Sequence, residues 1–453
     1  MSVEQPQDEA LSPHARSALK IVFVTLFLDL VGFSIIFPLF PAMLDYYVAR
    51  EGDAGLIGWL VSALEGFTQA AGGPGEMGII VLFGGVLASL YSLLQFVFSP
   101  IIGSLSDRRG RRPLLLVCIA GLAISYAMWF FAGPFIVLVL ARVLGGIAAG
   151  NISTASAVVA DVTSPRNRPK GMAIIGMAFG IGFIVGPAIG GFSAAIDLTE
   201  RWPGLADYGV NPFSLPALIA LVLALLNFAY VAIKFKETLP EAMQESSRTQ
   251  RSMNPIALFR GEAYPGIRKT NLCNFFFLTA FAGSEFGLTF LAMDRLEYGP
   301  RENAYLFVFI GLILALVQGG YVRQRAPIIG PKKMALHGFI ILIPGIGLLA
   351  FADSAWKFYV ALFFMAVGSA QIIPCLTSLA STYAPPDDQG RVLGVFRSLG
   401  ALARGIGPLI ACLLYWGLGS APAYTLIALA IILPLTIAAS LPKPPDDDTN
   451  PST

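Results

Sequence analysis

The sequence predicts an all-α integral membrane protein in which twelve transmembrane helices form two pseudo-symmetric halves of six. Hydrophobic residues occupy 56% of the 453 positions and charged residues only 13%, whereas a soluble domain carries about 25% charged residues. Twelve long apolar stretches follow one another, and each can cross the ~30 Å hydrocarbon core of a bilayer. The remaining loops are too short for a separate catalytic domain, so no enzymatic activity is expected.

Polar segments separate the predicted spans, which we number one to twelve in chain order. A hydrophilic stretch containing QESSRTQRS lies between the sixth and seventh spans and is typical of a linker. The predicted spans are residues 19–43, 78–102, 113–132, 135–161, 171–196, 213–234, 271–293, 304–322, 334–351, 357–382, 392–416 and 422–440. The predicted domains are an N-terminal tail (1–18), a first six-helix half (19–234), a linker (235–270), a second six-helix half (271–440) and a C-terminal tail (441–453).

The two halves are related in sequence. Sliding the chain against itself places Gly186 on Gly407 and Pro187 on Pro408. Duplicated halves are typical of secondary transporters, whose substrate site lies between the halves near the middle of the membrane. A twelve-span protein without a repeat is the alternative, because a few matches in apolar sequence also arise by chance.

Lysine and arginine are distributed unevenly between alternate loops, which predicts the orientation in the membrane. We expect both termini in the cytoplasm, and we expect the protein in the plasma or inner membrane, in contact with lipid. Because the net charge is only +2 and the basic residues lie at membrane edges, nucleic acid is not an expected partner. The only lysines and arginines in the loops of the non-cytoplasmic side are Arg50, Arg201, Arg295, Arg301 and Lys357.

Metal and cofactor chemistry has no support in the sequence. The four cysteines, at positions 118, 273, 375 and 412, lie in apolar stretches without CxxC spacing, and the two histidines are far apart. No GxxxxGK[ST] loop is present, so direct coupling to ATP is not expected. We expect neither a metal site nor a cofactor.

The loop after the second span combines glycines, an aspartate and four arginines in one short turn. It reads GSLSDRRGRRPLLL over residues 103–116 and resembles the signature loop of the major facilitator superfamily. A loop that only sets orientation explains the arginines but not the spacing of the glycines and the aspartate. The resemblance implies a gate that involves Gly103, Asp107, Arg108, Gly110, Arg111, Arg112 and, at the end of span four, Asp161.

The charged members of this gate have expected partners. Asp107 lies on the same side as the start of span eleven, whose partially positive N-terminus attracts a carboxylate. The resemblance implies that Arg108 and Arg112 reach Asp161, and that these contacts close the cytoplasmic side until the halves rock. The mirrored loop of the second half, residues 319–333, keeps the basic residues but has no aspartate. Only the first half is therefore expected to carry the full lock.

Two further stretches narrow the resemblance. Span one contains DLVGFSIIFPLFP, and spans four and five contain ARVLGGIAAGNISTASAVVADVTSPRNR and GIGFIVGPAIGG. These are similar to motifs of tetracycline-resistance-like drug/proton antiporters. Those exporters carry acids in spans three and nine, whereas residues 113–132 and 334–351 contain none, so tetracycline itself is not implied as a substrate. The fifth-span motif, in which glycines let helices approach and a proline bends the span, consists of Gly182, Gly186, Pro187, Gly190 and Gly191.

Ionisable residues inside the spans are functional candidates, because a charge at the bilayer centre costs at least ~2.5–3.5 kcal/mol. Asp29 in span one and Arg142 in span four lie at similar depths, so we expect them to pair and protonation of Asp29 to release Arg142. Glu285 in span seven and Arg404 in span eleven form a second set. A purely structural ion pair is the alternative for each set. Asp29 and Glu285 are thus the proton-coupling candidates, and Arg404 is the anion-binding candidate.

Polar residues in the spans predict the lining of a substrate cavity. Amide side chains in membrane helices also bridge neighbouring helices, which is the alternative for each of them. The expected lining residues are Arg142, Arg404, Gln95, Asn151, Gln318 and Gln371.

These expectations converge on a secondary transporter that works by alternating access. The favoured function is proton-coupled export of amphiphilic small molecules, such as tetracycline-like drugs or other xenobiotics, by a functional monomer whose partners are the substrate, the proton and the bilayer. One proton moving down 100 mV supplies about 2.3 kcal/mol for such transport. The alternatives are an organic anion transporter, a facilitator or importer of the same fold, and a non-transporting membrane receptor.

Overall fold

The backbone of this computed structural model is helical almost throughout, and the described residues contain no β-strand. Twelve helical segments are long and apolar enough to cross a membrane, which confirms the predicted all-α fold with twelve spans. The structure describes residues 13–52, 55–71, 76–163, 168–239, 265–384 and 389–442.

Spans one to six form the first half. A 3₁₀ turn at Phe37–Leu39 interrupts span one, and a two-residue turn interrupts span four. Shorter helices at Gly55–Ala71, Leu198–Arg201 and Pro203–Tyr208 lie between spans. The helices of the six spans are Pro13–Ser34 with Phe40–Glu51, Glu76–Arg109, Arg111–Phe130, Phe135–Ala148 with Asn151–Val162, Arg168–Ser193, and Ser214–Lys234.

Spans seven to twelve form the second half. Span eight contains one π-helical segment, Val317–Val322, which adds a residue to the helical turn at that point. The helices of these six spans are Pro265–Leu296, Pro300–Leu316 with Arg323–Ile329, Pro331–Leu349, Ala355–Tyr383, Gln389–Leu418, and Ser420–Ala430 with Ile432–Ala439.

The internal repeat predicted from Gly186 and Gly407 is visible in the packing of the spans. Gly186 lies against span one, where a Cβ atom would be 2.6 Å from the carbonyl oxygen of Val31. Gly407 lies in the same way against span seven, at the carbonyl oxygen of Thr279. Only a residue without a side chain permits such close helix contact. Span five therefore packs on span one as span eleven packs on span seven, and the two halves are pseudo-symmetric.

The halves meet along two pairs of spans, two with eleven and five with eight. We call the end of the molecule that carries the signature loop the basic end, and the other the opposite end. Near the opposite end, a Cβ atom on Gly85 would lie 2.6 Å from Sγ of Cys412, and Gly191 contacts the carbonyl oxygen of Pro300. Towards the basic end, Gly176 and Gly394 have no described atom within 4 Å of the same position. The interface is therefore closed at the opposite end and looser at the basic end.

Helix ends differ from the predicted span boundaries at several places. The described part of span one begins at Pro13 and that of span seven at Pro265, six residues before the predicted starts, because helical hydrogen bonding continues beyond the apolar core. Of the predicted linker, residues 240–264 lie outside the described residues, as do residues 1–12 and 443–453 of the tails.

Candidate functional site

Two adjoining cavities lie between the halves, midway along the spans. Asp29 lines the first cavity and Glu285 lines the second. Three side chains, Phe33, Phe183 and Arg404, belong to both. Arg404, from the second half, therefore shares one cavity with each of the two acids.

The rest of the lining is mainly apolar and aromatic. Tyr91 contributes to the first cavity, and Phe37, Phe286 and Phe307 contribute to the second. A concave site with an apolar wall and a few polar groups is typical of small-molecule binding. The lining suits an amphiphilic molecule with one charged group.

Asp29 is held by two amides. Asn151 in span four donates through Nδ2 to Asp29 Oδ2. Asn227 in span six donates through Nδ2 to Asp29 Oδ1 at 3.0 Å. Among the described residues, no lysine or arginine lies within ion-pair distance of this carboxylate, and the expected pair with Arg142 is not formed. The prediction of that pair is corrected here: neutral amides on two other spans already occupy both carboxylate oxygens.

Arg142 lies behind the wall of the first cavity rather than in it. Its guanidinium carbon is 4.6 Å from the ring centroid of Tyr91 and 5.8 Å from that of Phe33. Nε and Nη2 are buried and have no hydrogen-bond partner among the described residues. The side chain is only 3% exposed. Cation–π contact with two lining rings therefore replaces the predicted contact with Asp29.

Gly150 allows span four to approach span two closely at the first cavity. A Cβ atom on Gly150 would lie 2.6 Å from Cδ1 of Ile102. The span turns at this point, and Gln95 of span two donates to the freed carbonyl of Ala149 at 3.2 Å. Asn151 follows directly and is 1% exposed. The break in span four thus explains how Gln95 and Asn151 both reach the first cavity, as predicted for the lining.

Glu285 and Arg404 share the second cavity, and their opposite charges interact. Both side chains are half-buried. Tyr424 of span twelve donates to the carbonyl oxygen of Ser284 at 2.9 Å, which fixes span seven beside Glu285. Arg397 lies two helical turns before Arg404 and is close enough to interact with it electrostatically. The C-terminal set therefore contains charged partners, in contrast to the amides around Asp29.

The remaining two predicted lining residues do not line these two cavities. Gln371 is 2% exposed and donates to the carbonyl oxygen of Val367 in its own helix at 3.0 Å. Its Cβ atom packs beside Gly338 of span nine. Gln318 lies in the π-helical segment of span eight and faces Gly180 of span five. Gln371 is thus corrected to a residue of the helix interface, and Gln318 to one of the contact between spans five and eight.

The signature loop forms an ion-pair cluster around Arg111. Nη1 of Arg111 is 2.5 Å from Asp107, and Nε is 2.9 Å from Asp161. Arg111 also donates to Oγ of Ser106 at 2.7 Å. Its side chain is 5% exposed. Spans two, three and four are therefore tied together by one buried guanidinium.

The expected partners of Asp161 were Arg108 and Arg112, and this prediction is corrected. Arg112 donates to the carbonyl oxygen of Ala232 at the end of span six, at 2.7 Å. Nε of Arg108 is buried and has no hydrogen-bond partner among the described residues. The reason is the turn at Gly110, whose φ of +95° starts span three in a direction that points Arg111 at Asp161. The expected contact of Asp107 with the start of span eleven stays a prediction.

Glu237 joins the segment after span six to the same loop. Its carboxylate accepts hydrogen bonds from the backbone N–H groups of Arg111 at 2.9 Å and Arg112 at 3.0 Å. These are orphan donors of the first turn of span three, and a carboxylate there is favoured by the helix dipole. A Cβ atom on Gly110 would lie 2.6 Å from Oε2 of Glu237. Gly103, in span two, faces Ser153 of span four.

The fifth-span motif lies along span one. Gly182 faces Leu30, and Gly190 faces the carbonyl oxygen of Ile35. Ser34 donates to the carbonyl oxygen of Gly182 at 3.1 Å. Pro187 lies inside the helix between these contacts. The motif brings the backbones of spans one and five together directly beside Asp29.

Two residues of these sites, Asn227 and Glu237, were not among the predicted site residues. Asn227 is an amide in the apolar run of span six, and the rule that singled out Asn151 also applies to it. Glu237 lies in the predicted linker, where a charged residue is unremarkable, so the sequence contained no signal for its capping role.

The sequence matches a known protein family and is similar to several known proteins. The family model described as Major Facilitator Superfamily matches residues 22–408 and 328–452. Major facilitator superfamily domain-containing protein 10 of Bos taurus is 35% identical over 459 residues, covering 97% of this chain and 96% of that protein. Tetracycline resistance protein, class B, of Escherichia coli is 28% identical over 403 residues, with 88% of each covered.

Solved structures show the same architecture. The crystal structure of the human organic anion transporter MFSD10 (TETRAN) superposes with a TM-score of 0.75 at 32% identity, covering 94% of this chain and 100% of that one. A bacterial homologue of the human lysosomal transporter Spinster, in an inward-facing and unoccupied conformation, gives a TM-score of 0.66 at 14% identity over 94% of this chain and 95% of that one. The latter likeness shows the fold alone.

Proposed function

The chain belongs to the major facilitator superfamily, and we propose that within it this transporter carries amphiphilic organic anions by alternating access. The family resemblance drawn from the signature loop is thereby confirmed. The observation that carries the proposal is the position of Arg404, which lines both cavities. Guanidinium keeps its charge when buried and binds a carboxylate through two parallel hydrogen bonds.

The aromatic lining supports the amphiphilic character of the substrate. Phe33 and Phe183 flank Arg404 in both cavities, and aromatic rings bind the apolar body of a ligand with low loss of side-chain entropy. The human relative whose structure is similar is described as an organic anion transporter. This favours transport of organic anions over export of tetracycline-like drugs, because the tetracycline resistance proteins are less similar to this chain.

Coupling to protons is a second candidate function, and the positions of Asp29 and Glu285 favour it. Each acid lines one cavity, and Arg404 lies between them. A bound anion competes with Glu285 for Arg404, and a proton taken up by either acid changes the charge of its cavity. The direction we propose is export, with the proton moving inward.

The proposed orientation places the basic end and both termini in the cytoplasm, since arginine and lysine favour that side. The conformation described here, closed at the opposite end, is then inward-facing. Substrate would enter from the cytoplasmic side and bind at Arg404, after which the halves would close at the basic end. We place the protein in the plasma or inner membrane as a functional monomer.

The test is uptake into proteoliposomes of carboxyfluorescein and, as its cationic counterpart, rhodamine 6G. We expect saturable uptake of the anion by the unmodified protein. Arg404→Gln should abolish this uptake, because an amide has no charge to bind the carboxylate. Arg301→Gln, at an exposed arginine of the opposite end, is the matched control and is expected to transport normally. Uptake of the cation alone, unchanged in Arg404→Gln, would refute the anion proposal.

The same vesicles test proton coupling separately. An imposed pH gradient should drive accumulation of the anion above its equilibrium level. If uptake is identical with and without the gradient, coupling fails while anion transport stands.

A further inference from the structure

We propose that Asn227 is a positioning residue that responds to the protonation of Asp29: its amide donates to the carboxylate and turns to accept from the protonated acid. The inference rests on the proposed role of Asp29 in proton coupling. It adds span six to a site that otherwise consists of spans one and four.

The geometry around Asn227 supports the first of these two states. The side chain is 0% exposed. Its Nδ2 atom lies 3.0 Å from Oδ1 of Asp29 and 3.4 Å from the carbonyl oxygen of Thr25. Thr25 and Asp29 are four residues apart on one helix, so both face span six at this point.

Two polar atoms in this pocket lack a partner. Oδ1 of Asn227 is buried without a hydrogen bond among the described residues, and so is Oγ1 of Thr25. Buried acceptors without a donor are rare, because water cannot replace the missing bond. While Asp29 is ionised, these two atoms can therefore accept a hydrogen bond but have no donor.

A proton on Asp29 supplies that donor. The amide of Asn227 presents an oxygen on one side and an N–H group on the other, so a half-turn about its last torsion exchanges acceptor for donor. The new O–H group of Asp29 then donates to Oδ1 of Asn227. Each charge state of Asp29 thus has a matching orientation of the same amide.

The two amides on Asp29 are not equivalent. Asn151 lines the first cavity, from which a proton arrives, whereas Asn227 does not line it. The proton therefore enters from the cavity side of Asp29, and the carboxylic acid carries it on Oδ1, the oxygen next to Asn227, when the amide responds. Asn227 is fully buried, and a hydrogen bond there is electrostatically stronger than in water.

Other ionisable groups around Asp29 come from the remaining spans. Tyr91 in span two and Cys118 and Tyr126 in span three interact with it electrostatically. Residues 174–193 of span five include no ionisable side chain, and Asp161 lies at the far end of span four. The remaining ionisable residues are Arg142 in span four, behind the ring of Tyr91, Tyr230 in span six, one turn beyond Asn227, and Arg404 across the first cavity.

The test is infrared difference spectroscopy of the full-length protein in lipid nanodiscs during acid titration. The band of protonated Asp29 is identified as the carboxylic C=O band that Asp29→Asn removes. In Asn227→Leu we expect this band at higher frequency, since its hydrogen bond is lost, and its pH midpoint raised by about one unit because the ionised form loses a donor. Asn227→Asp has the same shape but adds a second carboxyl group beside Asp29, so the titration should split into two steps, with one midpoint raised further by the like charge.

The matched control is Asn271→Leu, at a second buried asparagine whose Oδ1 lacks a partner but which lies in span seven of the other half. Its spectrum should equal that of the unmodified protein. If the band and midpoint of Asp29 are unchanged in both Asn227 variants, or if no band disappears in Asp29→Asn, the proposal is overturned. If the band responds to Asn227 while a pH gradient drives no transport, proton coupling fails and the positioning role stands.

Discussion

The two halves hold their buried acids in different ways. In the first half, Asp29 accepts from two neutral amides. In the second half, Glu285 faces a cation, Arg404. An acid held by neutral groups can take up a proton without leaving a cation unpaired, whereas protonation of Glu285 removes a partner from Arg404. Under the proposed function, this difference predicts proton exchange chiefly in the first half and anion binding chiefly in the second.

The backbone symmetry of the halves does not extend to these charges. Gly186 contacts Val31 as Gly407 contacts Thr279, so Val31 and Thr279 occupy corresponding positions. Two residues before each of them, Asp29 corresponds to Phe277. By the same alignment of spans one and seven, Glu285 corresponds to Phe37. Each acid thus has an aromatic residue as its counterpart. The two halves thus share a backbone arrangement but not their ionisable side chains.

The largest effect is expected from Asp29→Asn. The amide keeps the shape of the side chain but carries no exchangeable charge, so transport driven by a pH gradient should disappear while substrate binding persists. We would measure gradient-driven uptake into proteoliposomes and, separately, ligand binding by thermal shift. Full gradient-driven uptake by this variant would overturn the assignment of proton exchange to the first half.

Asp353→Asn is the matched control for this loss. Hydrogen bonds from Lys357 and Ser354 hold the pKa of the exposed Asp353 below its ordinary value. It is therefore ionised at every pH of the assay and is expected to contribute nothing to the pH dependence. Its removal should leave both the rate and its pH profile unchanged.

A second large effect is expected from Arg404. Arg404→Gln should weaken anion binding about 100-fold, since a charge-assisted bidentate pair is lost. Arg404→Lys should weaken it about tenfold, because lysine keeps the charge but lacks the planar fork. Binding would be measured by displacement of a fluorescent anion. Equal affinities in all three proteins would show that the second half does not bind the anion through this residue.

The fold was predictable because membrane helices follow from composition and length alone. Twelve apolar stretches, the signature loop and the glycine-proline repeat identified the spans and the two related halves. Asp29 and Arg404 were identifiable because a charge inside an apolar run is costly. These features depend only on local sequence, so they can be recognised without knowing how the helices pack.

The partners of each charge were not predictable from the sequence. Depth along a span places Arg142 near Asp29, but rotation of the helix decides whether it faces Asp29 or Tyr91. In the signature loop, adjacent arginines point in different directions, and the turn at Gly110 selects Arg111 for Asp161. Helix rotation and loop direction arise from tertiary packing, which the sequence pattern leaves open.

The basic ends of the halves differ as well, and Arg111→Gln tests this difference. Gly330 has φ of +88° where Gly110 has +95°, but the next residue is Pro331 instead of Arg111, so the second loop cannot form the same cluster. Arg111→Gln removes the guanidinium that contacts both Asp107 and Asp161, and we expect about 2 kcal/mol of destabilisation. Denaturant unfolding in detergent would measure this value.

Arg108→Gln is the control within the same loop. Its Nε atom makes no hydrogen bond among the described residues, so we expect less than ~0.5 kcal/mol. Equal destabilisation by the two substitutions would mean that the charge of the loop, and not the cluster around Arg111, stabilises the first half.

The smallest expected effect, and the sharpest test of the contrast between the two acids, is that of Glu285→Gln. The carboxylate competes with a bound anion for Arg404, so its neutral analogue should bind the anion about fivefold more tightly, which corresponds to roughly 1 kcal/mol. Asp29→Asn should leave this affinity nearly unchanged, since its carboxylate is held by amides on the first half. The fluorescent displacement assay at constant pH compares the two variants directly. If Glu285→Gln instead weakens anion binding, Glu285 orients Arg404 towards the substrate, and the second half binds through the pair rather than through the arginine alone.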